Sequence, residues 1–231
     1  MITLSKRLQA LADLVRPCEV AADIGCDHGF LSVYLLQAHT AGHVIASDIN
    51  AGPLAHAREN IRAGHLEDCI ETIQCDGLQG IKADTIIIAG MGGRLMLKIL
   101  TDGIDAVRRA HELVLQPQSE LKEFRYGIRD LGLLIDAEDF VIEDGKYYPM
   151  MRVLAGRMEL SGTEALYGPL LLRDRHPALH EFLLQQNEYL QGLLQDLRKQ
   201  DTERARSRLP EIEDDLKRNE EALLAFEDTD A

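Results

Sequence analysis

The chain has 231 residues, which fits one full-sized domain with an appendage. Hydrophobic residues make up 45% and charged residues 28%, a balance that supports a packed core and excludes a largely disordered protein. Lys and Arg total 25 against 39 Asp and Glu, a net charge of −14, so any nucleic-acid partner must be held by a local basic patch rather than by bulk attraction.

Met1–Arg7 lacks the apolar core of a secretion signal, and no apolar run nears the roughly 18–20 residues that span a bilayer. A cytoplasmic protein with no membrane partner is expected. From there one rhythm repeats: short Val- and Ile-rich runs at Val20–Gly25, His43–Ile49, Cys69–Cys75, Thr85–Ala89 and Glu112–Gln116, each followed by a polar, often helical stretch. Most of these runs lack period-two alternation, as strands buried on both faces of a parallel sheet do. The reading is a doubly wound α/β sheet. Leu121–Leu131 reads as a helix closed by Gly132. Leu133–Ile142 and Tyr147–Leu154 then flank Asp144-Gly145, a strong hairpin signal, so an antiparallel hairpin finishes the sheet.

Leu160–Arg175 reads as a connector. Beyond it, Leu179, Leu183, Gln186, Leu190, Leu193 and Leu197 form one heptad seam, and Leu209, Ile212, Leu216, Asn219, Leu223 and Phe226 form another. Folded back as an antiparallel hairpin, the seams place 179 against 226 and Gln186 against Asn219, two amides that can satisfy each other. The alternative is two helices that each pack on the sheet domain. Pro210 is tolerable only in a first turn, which starts the second helix near Ser207–Leu209. Two domains are expected, 1–158 and 159–231.

The ends of the strands carry the chemistry. Asp23-Ile-Gly25-Cys-Asp27-His28-Gly29 ends the first strand and opens a helix. Its spacing matches neither a dinucleotide-binding GxGxxG nor a phosphate-cradling loop. Acids beside such a turn repel a pyrophosphate and suit a ligand that carries a cation, and S-adenosylmethionine is such a ligand. Asp48 ends the second strand, where an acid can bind both ribose hydroxyls. Asp76-Gly77 ends the third, where a carboxylate can accept from an adenine amino group. Any one of these acids by itself reads better as a helix cap; the three together with the glycines do not. The fourth strand ends Gly90-Met91-Gly92-Gly93, bare backbone against which a flat group can lie, and Gln116 at the end of the fifth can read a base edge. Cys18, Cys26, Cys69 and Cys75 show no metal-ligand spacing, so free thiols and no metal are expected.

At Leu4–Leu8, Ala22–His28, Ile88–Gly93, Leu113–Pro117 and Glu143–Tyr147 the chain resembles the bacterial TrmK-type tRNA methyltransferases, which methylate N1 of the adenine at tRNA position 22 with S-adenosylmethionine. The resemblance implies a Rossmann-like class I methyltransferase domain followed by a helical coiled-coil hairpin. It implies a cofactor site of Asp23, Gly25, Cys26, Asp27, His28, Asp48, Ile49, Asp76, Gly77, Gly90, Met91 and Gly92. Cys26 stands where a small polar residue is common, and Gln118 where Asn is frequent. Adenine N1 needs no strong base before it attacks a sulfonium methyl, so catalysis reduces to positioning and to accommodating the charge left on the base. Asp27 and His28 are the candidates to accept or stabilise the N6 proton, with Gln116 holding the base. Met91 and one of Tyr147 or Tyr148 are candidates to pack its face.

For tRNA itself, Arg204, Arg206 and Arg208, with Arg198 and Lys199, form the densest basic stretch. Arg94 and Lys98, with Arg108 and Arg109, offer a second path. No obligate protein partner is implied. The rival readings are a small-molecule methyltransferase on the same fold and a non-enzymatic cofactor-binding scaffold.

Overall fold

The computed structural model describes residues 2–200 and 202–227. The chain divides into two compact units, Met1–Glu159 and Leu160–Ala231.

The first unit is a seven-stranded sheet in the order β3-β2-β1-β4-β5-β7-β6. The parallel strands are β1 (Cys18–Ile24), β2 (Ala41–Asp48), β3 (Ile70–Gln74), β4 (Thr85–Met91) and β5 (Glu112–Pro117). The hairpin β6 (Leu133–Glu143) and β7 (Lys146–Ala155) closes the edge, with β7 antiparallel to β5 and the turn at Asp144-Gly145. The expected strands and hairpin all form, each within a few residues of its expected ends. Continuous burial explains why the central runs showed no alternation: Ile86, Ile87 and Ile88 are fully buried, and all six residues of β5 are buried.

Helices α1 (Lys6–Asp13), α2 (Phe30–Gln37) and α3 (Ala51–Ala63) pack into one core with β1 and β2 through Leu11, Leu35, Leu54 and Ala57. Ser5 caps α1 by accepting from the Leu8 amide. Helix α4 (Gly93–Asp102) packs on β4 and on α6 (Leu121–Asp130), with the short α5 (Ile104–Arg109) between. The Arg125–Glu138 ion pair, with side chains 1% and 0% exposed, ties α6 to β6 at 3.0 Å.

Among the described residues the second unit is built of helices without a strand. The expected connector is two short helices, α7 (Gly162–Tyr167) and α8 (Pro169–Arg173). Ser161 and Glu164 form a reciprocal capping box on α7, and Pro169 opens α8, which is why this Gly- and Pro-bearing stretch is ordered. Two long helices, α9 (Pro177–Lys199) and α10 (Glu203–Leu224), form the antiparallel hairpin. Helix α10 starts about a turn earlier than expected, because Thr202 accepts from the Ala205 amide and fixes the N-terminus there, leaving Pro210 inside the helix.

The seam pairs as expected in register but not in rotation. Asn219 is fully buried and accepts from Asn187 at 2.9 Å, not from Gln186, while its own amide donates to the Leu183 carbonyl at 3.1 Å. His180, not Leu179, stacks on Phe226 at 4.6 Å, and Leu194 is buried where Leu193 is only half-buried. Each departure is one residue along α9. Among the described residues the carboxamide oxygen of Gln186 is buried without a partner.

Candidate active site

The turn after β1 is shaped by its backbone. Gly25 (φ 74°), Asp27 (φ 49°) and Gly29 (φ 68°) all lie in the left-handed region, two supplied by glycine and one by aspartate, a side chain that tolerates it. The amides of Gly25 and Cys26 donate to the Ser47 carbonyl at 2.8 and 3.0 Å, which fastens the turn to the end of β2. Gly29 then opens α2, and a Cβ there would stand 3.1 Å from that of Ala57, so α2 and α3 approach closely.

Two hollows open at the carboxyl ends of the strands. The first, about 280 Å³, is lined by Asp23, Gly25, Cys26, Asp27, His28 and Gly90, joined by Arg7, Leu8, Phe30, Leu31, Ala89 and Gln118. The second, about 250 Å³, includes Gly25, Asp48, Ile49, Asp76, Gly77 and Met91. They meet at Gly25, whose missing side chain leaves room for the Met91 methyl: a Cβ would stand 2.4 Å from it.

Each hollow carries acid, in different surroundings. Asp23 is buried and accepts from the Ser32 hydroxyl at 2.6 Å. Burial pushes its carboxyl up to about 6 against the pull of Ser32, and Asp48 adds to the rise. Asp48 stands at the end of β2 and accepts from the Asn50 amide at 2.8 Å, and Asp76 is exposed. Burial, then Asp23 and Asp48, raises the Cys26 thiol, which stays protonated and lines the wall as a small apolar group.

Three expectations need correction. Gln116 is fully buried; its oxygen accepts from Arg7 Nη1 at 3.0 Å and from the Gly90 amide at 3.2 Å, and its amide nitrogen donates to the Pro117 carbonyl. It braces the wall and lines neither hollow, and Gln118, just beyond the strand, faces the first one. Gly92 and Gly93 serve packing: a Cβ on Gly93 would meet the Ser119 carbonyl at 2.5 Å, and one on Gly92 the Ser119 hydroxyl at 3.2 Å. The basic stretch is not one patch. Arg204 and Arg208 are one helical turn apart on α10, whereas Arg206 points to the other side. Arg198 is paired with Glu213, Lys199 with Asp196, Arg94 with Glu120 and Lys98 with Asp102. Of the two tyrosines, Tyr148 lies under the Arg7 guanidinium, 5.4 Å from carbon to centroid, and Tyr147 packs against Phe140.

Sequence reading missed Arg7. Its amide donates to Glu143, its side chain to Gln116, and among the described residues it is the one Arg or Lys that lines the first hollow. Glu143 and Gln116 lie 136 and 109 residues away, so only the folded sheet brings them to it. Phe30 was missed too, for its apolar ring reads as an ordinary first-turn core residue, yet it is 39% exposed.

A five-stranded parallel core, an antiparallel seventh strand inserted beside β5, and acidic hollows at the strand ends define a Rossmann-like methyltransferase. Residues 4–151 match the family model described as a methyltransferase domain. The chain is 32% identical to the tRNA (adenine(22)-N(1))-methyltransferase of Bacillus subtilis, over 96% of this chain and 98% of that one. The crystal structure of the B. subtilis m1A22 tRNA methyltransferase TrmK superposes with a TM-score of 0.85 at 31% identity, covering 96% of this chain and all of the other. A Streptococcus pneumoniae protein solved in complex with S-adenosyl-L-methionine superposes with a TM-score of 0.86 at 29% identity, over 96% of this chain and 100% of that one. The chain belongs to the tRNA (adenine(22)-N(1))-methyltransferase family.

Proposed function

We propose that this protein transfers a methyl group from S-adenosylmethionine to N1 of an adenine in tRNA, at position 22. The observation that carries the reading is the pair of acidic hollows that meet at Gly25, in a chain similar over nearly its whole length to a tRNA (adenine(22)-N(1))-methyltransferase.

The donor set fits the cofactor. Asp23, when ionised, offers a buried carboxylate to an ammonium group, Asp48 offers acceptors to a ribose diol, and Asp76 with Gly77 borders the space for an adenine. When bound, S-adenosylmethionine supplies a methyl group on a sulfonium. Adenine N1 forms its new bond to that carbon with its own lone pair as the carbon–sulfur bond breaks, and the positive charge passes to the base. The charge spreads onto the N6 amino group and makes its proton more acidic. Asp27, with its side chain 70% exposed at the first hollow, accepts or stabilises that proton, and His28 stands 3.7 Å away to share the charge. Gln118 takes the base-holding role first expected of Gln116, with Arg7 beside it. Arg204 and Arg208 remain our candidates on α10 for tRNA phosphates; Arg206, Arg94 and Lys98 contribute less, the last two because each already faces an acid. Among the described residues no helix is long and apolar enough to cross a membrane, and we place the protein in the cytoplasm with its substrate.

The test is transfer of tritiated methyl into an unmodified tRNA transcript, followed by nucleoside mass spectrometry. We expect 1-methyladenosine, and none in a transcript with guanine at position 22. Absence of label from tRNA under conditions where the cofactor binds would overturn the proposal.

A further inference from the structure

Three aromatic rings form a column at the lip of the first hollow. His28 is in the middle, its centroid 5.6 Å from Phe30 with 16° between planes, and 5.0 Å from His56 with 12° between planes. Phe30 and His28 line the hollow, and His56 lies exposed on α3. The column is built by the local chain. Bare Gly29 lets α3 come within van der Waals reach at Ala57, the neighbour of His56, and the Asn60 side chain donates to the His28 carbonyl at 2.9 Å, holding the turn against the same helix. Core packing does not account for it: the His28 side chain is 46% exposed, and Phe30 is one of the few large apolar side chains left open to solvent.

We propose that the Phe30–His28–His56 column is a stacking platform for an unpaired nucleobase of the RNA substrate beside the one that is methylated. The proposal rests on RNA being the substrate. Every base has a π-face, so aromatic stacking grips RNA whatever its sequence. Stacking also suits this surface. A protein with a net charge of −14 gains little from long-range attraction to phosphates, and a contact between ring faces does not depend on that attraction. Drawing an adenine out of its stack uncovers the face of its neighbour, and a ring column running from inside the hollow to the outer surface of α3 can cover that face again.

The chain contains no tryptophan, so His56→Trp installs a single tryptophan, excited apart from the tyrosines, at the end of the column. In the full-length protein, we expect its emission to be quenched by tRNA and by a short single-stranded oligonucleotide, but not by a duplex of the same length. His56→Ala should raise the tRNA KM by roughly 10-fold, the scale of one lost base stack, with kcat and cofactor affinity unchanged, and His56→Phe should restore it. Unchanged cofactor affinity also reports that the variants are folded. A wild-type KM in His56→Ala, or unquenched tryptophan in a variant that still methylates tRNA, overturns the platform. Failure of the wild-type protein to methylate tRNA overturns the functional reading instead. The oligonucleotide then decides the platform by itself: quenching upholds it, and no quenching overturns it.

Discussion

The sheet unit and the helical unit both bury polar side chains, but they settle them differently. In the sheet unit Arg125 on α6 meets Glu138 on β6, and Gln116 meets both Arg7 and the Gly90 amide, so these buried groups are paired across separate elements, although the Ser47 hydroxyl is left without a hydrogen-bond partner. In the helical unit Asn219 is held by Asn187 and by the Leu183 carbonyl, one turn apart on α9, and by the Tyr167 side chain at the end of α7, while the Gln186 oxygen beside them is left unpartnered. A strand pins its residues through a ladder on either side. A helix pair fixes register through its seam but leaves the rotation of each helix to side-chain packing.

The sharpest break in this contrast is Arg125→Met. Leaving Glu138 charged in the core without the Arg125 guanidinium should cost about 3–5 kcal/mol, read as lost protection in hydrogen exchange of the sheet amides. Next is Asp48→Ala, which should weaken S-adenosylmethionine by about 2–3 kcal/mol in calorimetry, while a folded mutant with unchanged affinity would remove Asp48 from the site. Asn219→Leu should cost the helical unit about 2 kcal/mol, because it strands the Asn187 amide. Adding Asn187→Leu should recover part of that loss in a double-mutant cycle, and adding Gln186→Leu should show no coupling.

A smaller effect follows pH. Burial holds the Asp23 carboxyl at about 6, so the folded protein keeps this proton more readily than the unfolded chain. The carboxyl's contribution to stability is full below about 4 and is lost as the pH rises through 6. A cationic ligand wants the opposite, the ionised form. Its affinity should therefore fall as the pH drops below 6, by at most about tenfold per unit, and Asp23→Asn should flatten that dependence. The smallest change runs against the others: Gln186→Leu should stabilise the helical unit by about 1 kcal/mol in thermal melts, by removing an amide oxygen that burial leaves unpaired.

The same contrast decides what could be read from sequence. Asp23, Asp48 and Asp76 were legible because each ends a strand, and parallel strands deliver their ends to one edge. The Asp-Gly turn was legible because the hairpin demands it. Gln116 was misread because position 116 is still inside β5, with its amide spent on Arg7 and Gly90; the free amide comes two residues later. Arg7 and the ring column were illegible, since their partners lie in other elements and meet only after folding. In the tail, heptads revealed the seam and its register, yet Asn187 and Gln186 are adjacent and polar, and no period-seven pattern chooses between them. Thr202, a short side chain ahead of a charged run, outweighed Pro210 in setting where α10 begins.

The left-handed turn at Gly25, Asp27 and Gly29 has a consequence for turnover. Its bends are written into the backbone and fastened by the Ser47 carbonyl, so a ligand arriving at the hollow finds the loop already in shape. The turn's own share of the ordering entropy on entry and on release is then small. An enzyme that must discard a used cofactor and load a fresh one in every cycle gains from a turn whose shape is set before the ligand arrives.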